Sequence, residues 1–288
     1  MYNQEMGGTC MKVVTTTAVF PAEGDERQQL KRLARIGFDA LDFGFDASVR
    51  NESSGFSTPQ FETWAYDLKE CAEENGISFS HTHAPFDVCK RGEIVERTMR
   101  CAHILGAKYI VVHPACFKGD GSFYEDEDEF LDVNVNAVMP ILEAAAKHDM
   151  TVLSENLLWG PSIQPAVLSE LVTRVGAAHF GWCFDTGHAN CFGVTSRALV
   201  GLANVPLSLH VQDNHGVFKD EHLLPGDGTI DWKDFIQTLN DIGYAGDFVL
   251  EAHHQSMDAP DDERDAILAD LLARSKKLVA FYERIHKA

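Results

Sequence analysis

Short runs of apolar and β-branched residues recur along the chain, and longer segments with helical spacing of apolar positions separate them. Eight of these runs are rich in Val, Ile, Phe and Thr and are too short for typical helices, so we predict that they are strands. The predicted strands span residues 12–17, 40–45, 77–83, 109–113, 151–156, 180–185, 207–212 and 247–251.

The segments between the strands repeat apolar residues three and four positions apart, which predicts amphipathic helices that bury one face. The predicted helices span residues 28–36, 59–75, 93–105, 133–148, 166–175, 232–242 and 266–285. We expect Asp231 to cap one of these helices and Thr58 to cap another, with Pro59 at the first helical position. The acidic run at 125–129 is interpreted as a solvated helix start, where carboxylates are electrostatically favoured.

Eight alternating strand–helix units in 288 residues indicate the α/β class. Such alternation implies parallel strands joined by right-handed crossovers, and eight units favour a single closed (β/α)8 TIM barrel. A doubly wound open sheet is the competing fold, but no GxGxxG motif follows the first predicted strand. Because no linker or repeat divides the chain, we predict one barrel domain at residues 12–288 after a flexible N-terminal tail at residues 1–11.

Composition restricts the class of protein and its partners. Hydrophobic residues make up 45% and charged residues 24% of the chain, which is typical of globular proteins and excludes disordered or fibrous chains. Lys and Arg total 24 against 44 Asp and Glu, so the formal net charge is −20. This charge repels phosphate backbones and anionic lipids, so we expect neither a nucleic-acid partner nor a membrane partner.

The seven cysteines are scattered and form no CxxC pair, which indicates neither a disulfide framework nor a thiolate zinc site. We find no secretory signal at the N-terminus and no apolar run of the roughly 18–20 residues that a membrane span needs. A cytoplasmic protein is therefore expected. Because barrels of this kind often associate, a homo-oligomer is a further expectation.

The third to the eighth predicted strands all carry His, Asp or Glu at or close to their carboxyl ends, where apolar or turn-forming residues are more usual. These residues are His81 and His83, His113, Glu155, Asp185, His210 and Glu251. The active site of a (β/α)8 barrel forms at the carboxyl ends of its strands, so these side chains should face one another. Because so many imidazoles and carboxylates would repel one another without a cation, we predict a divalent metal site. Its ligands would be Glu155, Asp185, His210 and Glu251.

Oxygen and nitrogen ligands without thiolates suit Mn²⁺, Mg²⁺, Co²⁺ or Zn²⁺, and we expect one ion, with Mn²⁺ favoured. His83 and His113 are expected to contact the metal or the substrate, and Trp159 is a candidate wall for the apolar face of a sugar. Asn156 and Asp213 are candidates for orienting the metal ligands. Strand alternation leaves open whether three further histidines face the lumen, namely His81, His253 and His254.

Several segments resemble the xylose-isomerase-like TIM barrel superfamily, which contains sugar phosphate isomerases and epimerases, ketose 3-epimerases and type IV apurinic endonucleases. The resemblance covers about residues 12–286 and is most specific in the segments SENL, FDTGHAN, LHVQDN, HLLPGDGTIDW and LEAH. It implies the same four metal ligands that the strand ends predict. It also places His188 and His222 where members of this superfamily contact substrate or bind further metals.

The endonuclease branch of this superfamily holds three zinc ions with a larger ligand set, and this sequence has a matching residue at every position. Beyond the four predicted ligands, these positions are His83, His113, His188, Asp220 and His222. The net charge of −20, early loops without Lys/Arg-rich stretches, and the HAPF segment, which resembles the sugar enzymes, all weigh against the nuclease. Ketose 3-epimerases typically carry an arginine near the position of His222, so the resemblance implies the isomerase/epimerase class more firmly than that one activity.

These inferences predict a divalent-metal-dependent isomerase or epimerase of a sugar, a sugar phosphate or a polyol. The expected chemistry is proton transfer next to a carbonyl through a metal-stabilised enediolate, with Glu155 and Glu251 as catalytic acid and base. A hydride shift between carbons is an alternative route. Alternative functions are a metal-dependent dehydratase or lyase on the same scaffold, a zinc apurinic endonuclease, and a barrel that only binds a ligand or partner.

Overall fold

The computed structural model describes residues 11–22, 24–51, 54–86, 88 and 92–286. Within these ranges, eight strands form one parallel sheet in the order β7-β6-β5-β4-β3-β2-β1-β8. The strands are Val13–Thr16 (β1), Ala40–Gly44 (β2), Phe79–His83 (β3), Tyr109–Val112 (β4), Thr151–Glu155 (β5), Phe180–Asp185 (β6), Ser208–His210 (β7) and Phe248–Leu250 (β8). The predicted tail lies outside the described residues except for Met11, which is buried in the hydrophobic core.

The sheet closes on itself between β7 and β8 through Val211, which directly follows β7. Val211 N donates to Val249 O over 2.8 Å, and Glu251 N donates to Val211 O over 3.0 Å. At the other edge of β8, Val14 pairs with Val249 in parallel register. This closure confirms the predicted single (β/α)8 TIM barrel.

Helices follow the strands along the chain and cover the outside of the barrel. They are Glu26–Ile36 (α1), Phe45–Arg50 (α2), Phe61–Glu74 (α3), Gly92–Leu105 (α4), Glu127–Ala146 (α5), Pro165–Val175 (α6), Thr186–Cys191 (α7), Trp232–Asp241 (α8), His254–Asp258 (α9) and Asp261–His286 (α10). The sequence pattern missed α2, α7 and α9 because helices of five or six residues are too short to display a helical period. None of the described helices is long and apolar enough to cross a membrane.

The predicted caps have different outcomes. Asp231 does cap α8, because its side chain accepts a hydrogen bond from Asp234 N over 3.0 Å. The prediction for Thr58 and Pro59 is wrong, since α3 begins at Phe61, after both residues. The Thr58 hydroxyl instead donates to Gly55 O over 2.8 Å and closes the preceding 3-10 turn.

The acidic run starts a helix, as predicted, but α5 begins six residues before the predicted boundary at residue 133. Asp126 is its N-cap and accepts a hydrogen bond from Glu129 N over 2.8 Å. Three acidic residues occupy the first turn, where the helix dipole favours negative charge. The apolar period that predicted the helix is absent from this polar turn, so the boundary was placed too late.

The side chains in the lumen of the barrel form two layers, an apolar one and, above it, a polar one. Two clusters of small and medium apolar residues fill its lower part, and they consist of Val14, Ala40 and Val249 and of Val111, Leu153 and Cys183. Side chains two residues apart on a strand lie on the same face of the sheet. Two positions further along these strands are Asp42, His113, Glu155, Asp185 and Glu251. A packed apolar layer therefore supports a polar layer at the carboxyl ends of the strands.

Candidate metal centre

Four side chains from consecutive strands converge at the carboxyl end of the barrel. Each offers one ligand atom, and these atoms lie within 4.8 Å of one another. They belong to Glu155 at the end of β5, Asp185 at the end of β6, His210 at the end of β7 and Glu251 just after β8. The structure thus brings together all four residues that the sequence predicted as metal ligands.

His210 is the imidazole at the centre of this group. Its Nδ1 lies 2.8 Å from Glu155 Oε1 and 3.3 Å from Glu251 Oε2. Burial alone would raise the pKa of both carboxyl groups, but the charge and hydrogen bonding of His210 hold them below their ordinary values. Both carboxylates therefore stay ionised at neutral pH.

Asp185 has a different environment from the two glutamates. Its Oδ1 accepts a hydrogen bond from His188 N over 2.6 Å and so caps α7. Its Oδ2 is buried and has no hydrogen-bond partner among the described residues. Burial raises the pKa of Asp185 to about 7. An unpartnered carboxylate oxygen beside two further carboxylates and an imidazole is the donor set that a hard divalent cation prefers.

Glu155 also contacts two histidines on its other side. Its Oε2 lies 3.2 Å from His83 Nε2 and 3.3 Å from His113 Nε2. His83 Nδ1 donates to Ala84 O over 2.9 Å, so both ring nitrogens face acceptors. Although burial lowers it, the hydrogen bond and charge of Glu155 raise the pKa of His83 to about 9. Burial lowers the pKa of His113, which therefore stays neutral.

A second cluster lies beside the first one and is built around Asp220. Asp220 Oδ2 lies 3.2 Å from His188 Nε2 and 2.8 Å from His222 Nε2. Gln212 Nε2 donates to Asp220 Oδ1 over 2.6 Å. Burial would lower the pKa of His222, but the Asp220 carboxylate raises it to about 9. His188, Asp220 and His222 form a further group that could hold an ion.

Asn156 and Asp213, the two predicted orienting residues, have separate roles. Asn156 Oδ1 accepts from Asp185 N over 2.7 Å, and Asn156 Nδ2 donates to Asp185 O over 3.0 Å. Asn156 O also accepts from His188 Nδ1 over 2.8 Å. Asp213 instead accepts hydrogen bonds from Gly226 N and Trp232 Nε1, each over 2.9 Å. Asn156 thus orients site residues, whereas Asp213 fixes the loop before α8.

Trp159 belongs to an aromatic wall beside the histidines. Its ring centroid is 5.2 Å from that of Phe117 and 6.4 Å from that of Phe86. Phe86 in turn packs edge-on against His113, with ring centroids 5.0 Å apart. The predicted wall therefore lies along the β3–β5 side of the site.

The three histidines whose orientation the sequence left open occupy different positions. His81 is buried below the site, stacks on Tyr109 at 5.0 Å and has a pKa that burial lowers to about 3. His253 Nδ1 donates to Glu251 O over 2.8 Å, so it lies beside the metal centre. His254 Nδ1 contacts Glu221 O over 3.0 Å on the neighbouring loop.

Sequence reasoning missed two polar residues of the site, Asp42 and Gln212. Asp42 is fully buried, its Oδ1 has no hydrogen-bond partner among the described residues, and burial raises its pKa to about 6. It lies two residues before the end of β2, where alternation could have assigned it to the lumen. Gln212 reaches Asp220 because Gly187 has no side chain, since a Cβ there would overlap the Gln212 amide.

The fold and this ligand set define a (β/α)8 barrel with a candidate divalent metal centre at the carboxyl ends of its strands. The family model described as xylose isomerase-like TIM barrel matches residues 30–278. The chain therefore belongs to the xylose isomerase-like TIM barrel family.

Individual proteins of known sequence or structure are similar to this chain. An uncharacterized protein of Methanocaldococcus jannaschii, MJ1311, is 27% identical over 261 residues, which cover 84% of this chain and 83% of that protein. A solved structure of a D-tagatose 3-epimerase-like protein is 25% identical, covers 96% of this chain and 98% of its own, and has a TM-score of 0.71. The IolI protein, solved with a bound zinc atom, is 17% identical with a TM-score of 0.71 and covers 94% of this chain and 98% of its own.

Proposed function

We propose that this protein is a divalent-metal-dependent isomerase or epimerase of a sugar or sugar phosphate. The observation that carries the proposal is the convergence of three carboxylates, two of them buried, and one buried imidazole at the carboxyl ends of β5 to β8. One oxygen of Asp185 has no hydrogen-bond partner among the described residues. Family membership and the similarity to a D-tagatose 3-epimerase-like protein support this class of reaction.

The metal would be held by the four converging residues, Glu155, Asp185, His210 and Glu251. When bound, a divalent ion supplies a Lewis acid that makes the carbon next to a sugar carbonyl more acidic. Ligands dominated by carboxylate oxygen favour Mn²⁺, and the imidazole also makes Zn²⁺ acceptable, as in the IolI structure. One ion is proposed at this position.

Glu155 and Glu251 are the proposed acid and base. They extend from strands on different sides of His210, and both are ionised at neutral pH, so each has a free lone pair that can accept a proton. One carboxylate removes the proton from the carbon beside the carbonyl. Return of a proton by the same carboxylate to the neighbouring carbon isomerises the sugar, whereas return from the opposite face inverts the original carbon.

The substrate oxygens would be held by histidines around this pair. His188 and His222 lie on one side, with their Nε2 atoms against Asp220, and His83 and His113 lie on the other side, against Glu155. Trp159, together with Phe86, would pack against the apolar face of the sugar. Asp220 and His222 are also proposed as ligands of an additional metal should more than one ion bind.

A second candidate function is a zinc phosphodiesterase, the chemistry of an apurinic endonuclease. The favouring observation is that Glu155 presents one oxygen to His210 and the other to His83 and His113, as a carboxylate between two ions would. The cluster around Asp220 would add a third ion. The net charge of −20 opposes DNA binding, so this function ranks second.

The test combines turnover with isotope exchange. Protein reloaded with Mn²⁺ is incubated in D₂O with a panel of ketoses, aldoses and their phosphates, and NMR follows both new sugars and deuterium next to the carbonyl. We expect one sugar to isomerise or epimerise with deuterium incorporation. A dehydrated product would support the lyase, isomerisation without deuterium would support a hydride shift, and cleavage of abasic DNA alone would overturn the proposal.

A further inference from the structure

A cavity of about 540 Å³ opens at the carboxyl ends of β1 and β2, on the same face of the barrel as the candidate metal centre. Parts of α1, α2 and α9 complete its walls. His253 lines one end of it and donates from Nδ1 to Glu251 O over 2.8 Å, which places this end next to the metal centre. None of the four candidate metal ligands lines the cavity, so the cavity is a separate space that adjoins the candidate metal centre.

The walls of this cavity are largely apolar. Phe20 and Phe43 are buried and line it, and Leu30, Met257 and Ala47 contribute further carbon surface. A sugar hydroxyl placed against these groups would lose its water without gaining a hydrogen-bond partner, which is unfavourable. An apolar group would instead gain from leaving water. The walls of the cavity therefore favour binding of an apolar group over binding of a sugar hydroxyl.

The charged groups of the cavity disfavour an anion. Arg50 is the one Lys or Arg among the described residues that line it, and it forms an ion pair with Asp46 one turn earlier in α2. Asp46 also accepts a hydrogen bond from Phe86 N over 3.2 Å. Glu26 adds a second carboxyl group, which accepts from Trp64 Nε1 over 2.6 Å. A phosphate would meet two carboxyl groups and one cation that is already paired.

We propose that this cavity is a subsite for an uncharged apolar group carried by the sugar at a position away from its carbonyl. The preferred substrate is then a sugar ether, ester or glycoside, which should be converted more efficiently than the free sugar or its phosphate. The inference rests on the proposed function, because it assumes that the sugar carbonyl binds at the metal centre. The cavity volume lies within the range of about 300–1,000 Å³ that holds drug-sized ligands, so a benzyl-sized group fits beside the sugar.

The test compares three derivatives of one ketose that differ only at the far end: the 6-O-benzyl ether, the 6-O-methyl ether and the 6-phosphate. Binding to the Mn²⁺-loaded protein is measured by calorimetry, and turnover by deuterium incorporation. We expect kcat/KM for the benzyl ether to exceed that for the methyl ether by at least about tenfold, and the phosphate to be the poorest substrate.

Variants link the preference to the cavity. Ala47→Phe fills the space, so the benzyl-to-methyl ratio should fall toward one, and Ala18→Leu, at another lining position, repeats the test if the first variant does not fold. Ala146→Phe, on the exposed end of α5, is the matched control and should leave the ratio unchanged.

The outcomes separate the subsite from the proposed function. Equal kcat/KM for both ethers, with a ratio that Ala47→Phe does not change, would overturn the subsite while turnover still supports the isomerase or epimerase. Tighter binding of the benzyl ether that Ala47→Phe abolishes, without turnover of any sugar, would keep the subsite and overturn the proposed function. A preference for the 6-phosphate would also overturn the subsite.

Discussion

His210 Nδ1 lies 2.8 Å from Glu155 Oε1, while the other oxygen of that carboxylate lies within 3.3 Å of the Nε2 atoms of His83 and His113. Glu155 is buried among three imidazoles, so its carboxylate connects strands β3, β4, β5 and β7. This position makes Glu155 the residue on which both the proposed metal site and the proposed proton transfer depend.

We expect Glu155→Gln and Glu251→Gln each to lower kcat/KM by at least about 100-fold, because an amide neither accepts the proton nor carries ligand charge. Glu143→Gln on the exposed face of α5 is the matched control and should keep wild-type activity. Steady-state kinetics at saturating metal, with metal content measured alongside, gives the comparison. A Glu251→Gln enzyme with full activity would refute the acid/base assignment.

The number of bound ions distinguishes the two candidate functions. We expect about one ion per chain in the wild-type protein, and the same number in His222→Ala, since His222 belongs to the Asp220 cluster rather than to the four converging ligands. Elemental analysis after reloading with Mn²⁺ or Zn²⁺ gives the count. Two or three zinc ions in the wild type, with one lost in His222→Ala, would favour the phosphodiesterase.

Asn156→Ala should weaken metal binding by about 10- to 100-fold without removing a ligand, because the Asn156 side chain brackets the main chain of Asp185. It also leaves buried main-chain groups unpaired, which costs about 1–3 kcal/mol of unfolding free energy. Asn136→Ala removes a single exposed hydrogen bond on α5 and serves as the control. Calorimetric titration with Mn²⁺ measures the effect, and unchanged affinity in Asn156→Ala would contradict this role.

Asp42 should make stability depend on pH. Burial raises its pKa from 3.8 to about 6, so the folded state prefers the protonated form. The stability linked to this group is present below pH 3.8 and is lost as pH rises through about 6, a change on the order of 3 kcal/mol.

The variant Asp42→Asn removes this titration. Its unfolding free energy relative to wild type should therefore rise between pH 4 and pH 8, as measured by urea unfolding with a chelator present. Asp262→Asn, on the exposed first turn of α10, should follow the wild-type profile. Parallel pH profiles of Asp42→Asn and wild type would show that Asp42 does not titrate in this range.

The barrel could be predicted from sequence because its signals are local. Strands of period two alternate with segments of helical period, and each pattern depends only on neighbouring residues. Helix boundaries were misplaced, or whole helices missed, where a segment was too polar or too short to show an apolar period. This is why α5 began earlier than predicted, why the cap at Thr58 was wrong, and why α2, α7 and α9 were missed.

The four converging residues were also predictable, for a physical reason. In a barrel of parallel strands, every strand ends at the same rim. A His, Asp or Glu side chain at a strand end therefore lies in the site, however far apart in sequence the strands are. Asp42 escaped prediction because it lies two residues inside its strand, and Gln212 because it is not one of the His, Asp or Glu residues that marked the strand ends.

The sequence by itself determined which residues line the rim, since strand order along the chain and the period of two decide that. Only the tertiary structure decided which atoms meet across the lumen. The pairing of His210 with Glu155, the cluster around Asp220 and the cavity beside His253 depend on barrel closure and on loop packing. These are relations between residues far apart in sequence, set by the packing of whole elements, and no local pattern encodes them.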